Sequence, residues 1–226
     1  NAYSPWPGAT YAHVMRPTIY GHTDDTVTVH LATSRDEIIW HRPLGREPWL
    51  IPAAAPRPRM ESVYACAGII PTGAGEWSTY VGAIRKGHNH PEKGYGQALP
   101  DEGMLRLPMR EDGFMSLSAD GHGQFWTVPF RLDVESLSVN ARVRYSGYLK
   151  CEVLEAGLGE TGEAVTIGQP IPGYTLADCA AVTGDTIRAP LNWRGGALAT
   201  LKGRSVRLRF SLFKADLYAL RFGDVP

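Results

Sequence analysis

The chain has 226 residues, and its formal net charge is zero because 23 Lys and Arg residues balance 23 Asp and Glu residues. This length suits one or two domains with substantial cores, and the neutral balance provides no overall field that would attract nucleic acid or an anionic membrane. No apolar run reaches the roughly 20 residues that a bilayer span needs. We therefore expect no nucleic-acid partner and no membrane partner.

The cysteines do not form a recognisable pattern. Cys66, Cys151 and Cys179 are too few and too scattered for a metal site, and their odd number argues against a disulfide framework. We expect them to be small core residues.

The first half of the sequence contains two units of similar plan. In the first, residues 11–20 form an apolar strand, residues 21–25 a polar turn, and residues 26–32 a strand with alternating apolar and polar positions. The second repeats this order in residues 62–70, 71–75 and 76–82. The spacing is roughly the 40 to 50 residues of propeller blades, so we predict two successive four-stranded sheets.

The end of the first unit has the chemistry of a tight reversal. Residues 26–32 and 38–40 are predicted to pair as a β-hairpin. Between them, the short side chains of Ser34 and Asp36 can accept hydrogen bonds from backbone N–H groups one or two residues further on. Trp40 is expected to lie back over the sheet that the chain has just left.

The second half of the sequence has a different rhythm. Turn formers are concentrated in residues 87–103, and we place a domain boundary there, with domains of residues 1–103 and 104–226. Short strands then follow, spaced roughly as a sandwich requires, in residues 113–119, 124–130, 136–141, 147–154, 205–213 and 215–222. Turn formers such as residues 120–123 separate them, so this half is predicted to be a β-sandwich.

Several segments resemble bacterial proteins related to glycoside hydrolase families 32 and 43, in which a β-sandwich follows a five-bladed β-propeller. They are residues 112–117, 147–154, 171–174, 178–179, 183–185, 192–193, 201–210 and 215–222, and residues 31–36 with Trp40 resemble a hairpin of the fourth blade. The resemblance implies an all-β chain made of the last two blades of the propeller and the C-terminal sandwich. Glu37 departs from the usual pattern, which has a turn glycine at this position.

The resemblance also implies a function. The chain would be part of a glycoside hydrolase-like protein that acts on glycosidic bonds of a carbohydrate. Cleavage needs two carboxyl groups, and in these propellers the main carboxylates lie on the first three blades. The chain enters at Asn1 on a strand-like segment, so we expect those carboxylates upstream and expect the upstream part of the same protein to be a partner. The alternative is a non-catalytic carbohydrate-binding or structural β module.

Glu61 is the candidate catalytic residue. It stands at the start of a strand that would line the central channel, where a carboxylate can bind a sugar hydroxyl or act in acid–base catalysis; a solvated charge at a strand end is the alternative. His88 and His90 are candidate substrate-binding residues, since they follow the outer strand of the last predicted blade, where related enzymes place a histidine at the channel. An imidazole at the channel can donate to a substrate oxygen or hold a water on a central metal ion. An ordinary exposed turn would contain the same residues. The His-x-His spacing has no third ligand, so no metal ligand and no cofactor are assigned, although the resemblance is compatible with a calcium ion in the channel.

Three further residues are candidates for substrate binding. Trp6 and Tyr20 can stack on the apolar face of a sugar ring. Arg16 can reach a carboxylated or hydroxyl-rich ligand, and its alternative role is a salt bridge to Asp24 or Asp25.

Overall fold

The computed structural model describes residues 1–52, 60–89, 102–158 and 164–223, and these residues form an all-β protein. Within these ranges no helix is long and apolar enough to cross a bilayer. The chain divides into two compact units, Asn1–Glu111 and Asp112–Pro226. The sequence placed this boundary after residue 103, but the strand Gly103–Arg110 pairs along the preceding strand Glu76–Ile84, and for this reason it belongs to the first unit.

The described strands of the first unit form two sheets. They are β1 (Ala2–Trp6), β2 (Ala9–Arg16), β3 (Thr18–Tyr20), β4 (Val27–Val29), β5 (Ala32–Ser34), β6 (Ser62–Ala65), β7 (Ile70–Gly73), β8 (Glu76–Ile84) and β9 (Gly103–Arg110). Sheet A is antiparallel and has the order β1-β2-β5. Sheet B has the order β3-β4-β6-β8, and both β7 and β9 also pair with β8. Its pairs are antiparallel except for β4 with β6, which are parallel at Val27 and Ser62.

The strands are distributed differently from the two four-stranded sheets that the sequence predicts. The chain passes between the sheets at Pro17, which lacks the N–H needed to continue a ladder, and passes back between β4 and β5. There, His30 N donates to Pro17 O at 2.8 Å. Residues 26–32 therefore do not pair with residues 38–40, because β4 pairs with β3 and β6 while β5 pairs with β2. The predicted reversal is nevertheless present, since Thr33 and His41 form an antiparallel bridge across it.

The reversal after β5 has the predicted chemistry. Asp36 N donates to Ser34 Oγ at 3.2 Å, and Asp36 Oδ1 accepts hydrogen bonds from the backbone N–H groups of residues 38 and 39 at 2.9 and 2.8 Å. Trp40 lies edge-on to Tyr3 of sheet A, with ring centroids 6.2 Å apart. Both predictions about this turn are confirmed. Glu37 has a φ of 61°, the left-handed conformation that usually selects glycine.

The predicted strand of residues 62–70 is interrupted. Gly68 has a φ of 96°, a conformation that glycine adopts without steric cost, and the chain leaves the ladder between β6 and β7. The carbonyl groups of Cys66 and Gly68 are thereby free to accept hydrogen bonds from outside sheet B. The buried core beside this break consists of Val29, Leu50, Met60, Val63, Val81 and Ala83.

In the second unit, the described strands form one six-stranded sheet. They are β10 (Leu117–Trp126), β11 (Phe130–Arg131), β12 (Leu137–Leu158), β13 (Ala164–Pro170), β14 (Gly184–Pro190) and β15 (Ser205–Phe222). The order is β10-β15-β12-β13, with β11 paired to β15 and β14 to β12. The predicted pairs of short strands are thus continuous long strands, because the expected turns are bulges within them.

These bulges lie at one level of the sheet. Opposite Lys214 of β15, the strand β12 accommodates residues 144–147 and β10 accommodates residues 120–121. Arg144 Nη2 lies 3.0 Å from an oxygen of Asp120 and so links the two bulges. Bulges bend the strands that carry them, so three neighbouring strands change direction together.

The alternation of β15 changes phase at the same level. Before Lys214 its buried apolar residues occupy even positions, and after it they occupy odd positions: Val206, Leu208, Phe210 and Leu212, then Ala215 and Leu217. Lys214 has a φ of 48°, which absorbs the change without ending the strand. The core on this face also contains Cys151 and Cys179, as expected for two of the three cysteines, and burial raises the pKa of both thiols.

Candidate functional site

One end of sheet B brings together three of the predicted site residues. Tyr20 pairs with Val27, Val27 with Ser62, and Ser62 with Ile84. Glu61 immediately precedes β6, and His88 follows β8, so both lie at the same end of the sheet as Tyr20. We refer to this region as the Tyr20 end of sheet B.

Asp25 is the centre of the hydrogen bonds at this end. Its Oδ1 accepts from the Tyr20 hydroxyl at 2.9 Å, and both carboxylate oxygens lie 3.1 Å from the backbone N of Asn89. The carbonyl oxygen of Asp25 accepts from the backbone N of His88 at 2.9 Å. Asp25 has a φ of 58°, a turn conformation that aspartate tolerates better than most residues. This network holds the segment after β8 against the β3–β4 turn.

Aromatic and imidazole rings surround Tyr20. The Tyr20 ring centroid lies 4.5 Å from that of His22 and 5.0 Å from that of His88. The Tyr64 hydroxyl is hydrogen-bonded to His88 Nδ1 at 3.0 Å, and the side-chain amide of Asn89 donates to the Tyr20 hydroxyl at 2.9 Å. These rings are therefore held in fixed positions relative to one another, with His22 and His88 exposed.

Two tyrosine hydroxyls at this end titrate above their ordinary range. The pKa of Tyr20 is raised chiefly because its hydroxyl donates to the Asp25 carboxylate, and burial adds to the shift. Burial raises the pKa of Tyr64. Both phenols therefore remain protonated hydrogen-bond donors at neutral pH.

Glu61 is exposed and attached to the sheet through its backbone. Its N–H donates to Ile84 O at 2.9 Å, and its carbonyl oxygen accepts from Val27 N at 3.4 Å. The Glu61 carboxylate has no hydrogen-bond or ion-pair partner among the described residues. It is thus available to a ligand, in contrast to the fully engaged Asp25.

Arg16 does not contribute to this surface. Its side chain is 0% exposed, and its Nη2 donates to Cys66 O at 2.8 Å and to Gly68 O at 2.9 Å. The predicted partners Asp24 and Asp25 are not among these contacts. Burial lowers the pKa of Arg16 to about 10, so it stays protonated at neutral pH. Arg16 therefore connects sheet A to the break in sheet B and cannot touch a ligand in this conformation.

The remaining two predicted residues are not at the Tyr20 end. Trp6 lies beside the β1–β2 turn, opposite Ala9, and its ring is edge-on to the buried Trp77 with centroids 5.7 Å apart. This contact gives Trp6 a packing role. His90 lies outside the described residues.

Sequence reasoning missed Asp25, Tyr64 and Asn89 as parts of the site. Asp25 was interpreted as a turn residue or a partner of Arg16, and Tyr64 as an ordinary strand residue. The available signal was the turn of residues 21–25, because its carboxylates follow directly after Tyr20. Their connection to residue 89 depends on strand pairing across sheet B, which local sequence does not show.

The part of the chain that the structure describes contains no group of three or more His, Cys, Asp and Glu side chains able to hold a metal ion. The calcium ion that the resemblance admits therefore has no ligand set to which we can assign it. No protein-family model matches the chain, and no curated protein matches it.

Proposed function

We propose that this chain is part of a glycoside hydrolase-like protein and that it contacts carbohydrate at the Tyr20 end of sheet B. The observation that carries this proposal is the set of fixed rings and hydrogen-bonding groups around Asp25. A sugar offers apolar C–H faces that suit aromatic rings and hydroxyl groups that need oriented partners. The resemblance to glycoside hydrolase families 32 and 43 supports the same substrate class.

In this proposal the first half supplies the last two blades of a five-bladed β-propeller, and the second half is the β-sandwich. Two separate sheets in the first unit and an all-β second unit support it. The chain passes between sheets A and B twice, at Pro17 and between β4 and β5, which is more often than in regular blades. The upstream part of the protein would supply the other blades.

Within the site, Tyr20 and His88 would orient the sugar, and Glu61 would act on it. The Tyr20 hydroxyl already donates to Asp25 and accepts from Asn89, so the ring plane is fixed before a ligand arrives, which lowers the entropic cost of binding. The Glu61 carboxylate, which has no partner among the described residues, can accept a proton from a nucleophilic water or, when protonated, donate one to a leaving oxygen. The second carboxyl group that glycoside cleavage requires is assigned to the upstream part.

The test is a screen of the full-length protein against aryl glycosides, with Glu61→Gln and Tyr20→Ala as variants. We expect turnover that falls at least about a hundredfold in Glu61→Gln, as for removal of a general acid or base, and a raised KM in Tyr20→Ala. Glu155→Gln, at an exposed carboxylate of the second unit, is the control and should leave turnover unchanged.

Three results would change the proposal. Unchanged turnover in Glu61→Gln would remove Glu61 from the catalytic machinery. Saturable binding of a sugar without any turnover would favour the alternative, a non-catalytic carbohydrate-binding module. If no sugar perturbs Tyr20 or His88 in NMR spectra, the Tyr20 end of sheet B is not a carbohydrate site.

A further inference from the structure

A closed hydrogen-bond network lies on the outer face of sheet A, away from Arg16. The Tyr3 hydroxyl donates to Glu37 Oε1 at 2.9 Å, and His13 Nδ1 lies 3.1 Å from both the Tyr3 hydroxyl oxygen and Glu37 Oε1. Tyr3 has one hydroxyl hydrogen, and an ionised carboxylate has none. The Tyr3 hydrogen is therefore committed to Glu37 Oε1, and His13 Nδ1 lies beside both oxygens.

This network leaves half of the carboxylate unused. Among the described residues Glu37 Oε2 has no hydrogen-bond partner, and the Glu37 side chain is 57% exposed. The bond to Glu37 also raises the pKa of Tyr3, so the phenol remains a donor at neutral pH. Glu37 is thus a carboxylate that is held by the Tyr3 hydroxyl, with His13 beside it, and its second oxygen is accessible.

Aromatic surfaces lie beside this oxygen. Trp40 is edge-on to Tyr3, and its Nε1 donates to the carbonyl oxygen of Glu37 at 3.0 Å. The exposed Tyr11 lies two residues before His13 in β2. The guanidinium of Arg35 lies over the Tyr11 ring, 5.3 Å from its centroid. The patch therefore combines ring surfaces, a fixed acceptor and a cationic donor.

The backbone at Glu37 is unfavourable for any residue with a Cβ. Its φ of 61° would be adopted by glycine without strain. A glutamate where glycine fits better is understandable if the carboxylate itself has a task, since strained positions are often functional ones.

We propose that Glu37, with the rings of Tyr3 and Trp40, forms a second binding site for a neutral, hydroxyl-rich ring such as a sugar. Glu37 Oε2 would accept hydrogen bonds from the ring hydroxyls, and the exposed part of Tyr3 would contact a C–H face. Arg35 disfavours a cationic ligand, because its guanidinium already occupies Tyr11. The choice of ligand class rests on the proposed function, but the site is different from the Tyr20 end of sheet B.

The experiment is an NMR titration of the whole protein with methyl glycosides of glucose, galactose, xylose, arabinose and fructose. At least one glycoside should shift the Trp40 indole and His13 imidazole signals in a saturable manner. Glu37→Gly should weaken this binding at least about tenfold, as expected for loss of a hydrogen bond to a charged group, while the melting temperature stays equal or rises. In Glu37→Gln the single amide oxygen is claimed by the Tyr3 hydroxyl and an NH2 group replaces Oε2, so this variant should also weaken the binding although the size of the side chain is unchanged.

The outcomes separate the two sites. Shifts confined to Tyr20 and His88 would overturn the second site and leave the proposed function intact. Shifts confined to Trp40 and His13 would support the second site and overturn the Tyr20 end of sheet B as a carbohydrate site. Binding that survives in Glu37→Gly would overturn the second site.

Discussion

Arg16 shows how a single residue can connect two sheets. Removing a guanidinium from water is expensive unless its donors are satisfied, yet Arg16 is fully buried and only its Nη2 finds acceptors, while Nε and Nη1 have no partner among the described residues. The two carbonyl groups that it satisfies lie at the break between β6 and β7. The gain from these bonds is thus offset by the desolvation of the charge.

From this balance we expect Arg16→Met to change stability by no more than about 1 kcal/mol, because an apolar side chain of similar length removes the desolvation cost together with the bonds. Arg16→Lys should be less stable than Arg16→Met, because a compact ammonium is more strongly hydrated than a guanidinium and lacks its planar fork. Urea unfolding of the three proteins tests this order. A lysine variant at least as stable as the methionine variant would show that the charge itself is favourable there.

Asp36 should make the turn after β5 sensitive to acid. Hydrogen bonds from the backbone N–H groups of Ile39 and Ile38 lower the pKa of the Asp36 carboxyl below its value in the unfolded chain. A lowered folded-state pKa contributes stability that is present above the unfolded pKa of about 3.9 and is lost as the pH falls through the folded pKa. The melting temperature of wild type should therefore exceed that of Asp36→Asn at pH 7, and the difference should shrink below about pH 4.

Asp178→Asn is a matched control for this prediction, because Asp178 in the second unit also has a pKa lowered by hydrogen bonds, from Thr175. Its effect should follow the same pH dependence without altering the NMR signals of Trp40. A constant difference between wild type and Asp36→Asn from pH 7 to pH 3 would contradict the assignment.

Residue chemistry could be predicted from the sequence where it depends on neighbours in the chain. Ser34 and Asp36 hydrogen-bond to groups within three residues, and such contacts are visible in the sequence. The burial of Arg16 was not predictable, because its acceptors lie 50 and 52 residues further along the chain. Tyr20, Glu61 and His88 are candidate site residues from the sequence alone, but their convergence at one end of sheet B follows only from the register of its strands.

At the scale of elements, the segment after β8 is fitted closely to the β3–β4 turn. Gly87 is buried, and a Cβ built on it would overlap Asp25 Oδ2 and lie 2.7 Å from Asp25 Cγ. The side chain of Asp25 cannot move away without losing its bonds to Tyr20 and Asn89. Gly87 is thus the position at which the packing of the Tyr20 end of sheet B is most restrictive.

Gly87→Ala should therefore destabilise the protein by roughly 1–3 kcal/mol, as overpacking does, and weaken any carbohydrate binding at Tyr20. It should also bring the pKa of Tyr20 closer to its ordinary value as the bond to Asp25 lengthens. Gly121→Ala is the control, since its Cβ would meet no atom within 4 Å. Absorbance titration of the tyrosines and thermal melts measure both effects, and equal stability of the two variants would refute the close fit.

The strands of the second unit show why local sequence divides elements that the structure joins. Asp120 and Gly121 have turn chemistry, and the same chemistry serves a bulge when a partner strand continues beside it. The sequence also predicts a strand break between residues 213 and 215. Here the cause is different: the alternation of β15 changes phase at Lys214 while its pairing with β12 continues. Only the neighbouring strands distinguish a bulge from a hairpin turn.

At the scale of the whole molecule, each unit has its own buried cluster. That of the second unit draws on β12 and β15 and on the segment of residues 171–201, whereas the cluster of the first unit is smaller. Hydrophobic burial is the main source of stability. The second unit should therefore be the more stable of the two.

We expect residues 112–226, expressed alone, to unfold cooperatively in urea at a higher midpoint than residues 1–111. Labelling of thiols in the full chain gives an independent check, because Cys66 reports on the first unit and the buried Cys151 and Cys179 on the second. Cys66 should react at lower urea concentration than the other two. Simultaneous labelling of all three, with an unfolded 112–226 fragment, would show that the units are stable only together.

The change of phase in β15 also restricts how the length of this chain can vary. Excision of Lys214 would give the strand a uniform two-residue alternation with its apolar side chains still on one face, but residues 120–121 of β10 and 144–147 of β12 would then have no residue opposite them. Compensation would require matching losses in the two strands beside it. We expect lineages that carry this unit to tolerate substitutions near Lys214 far more readily than gained or lost codons.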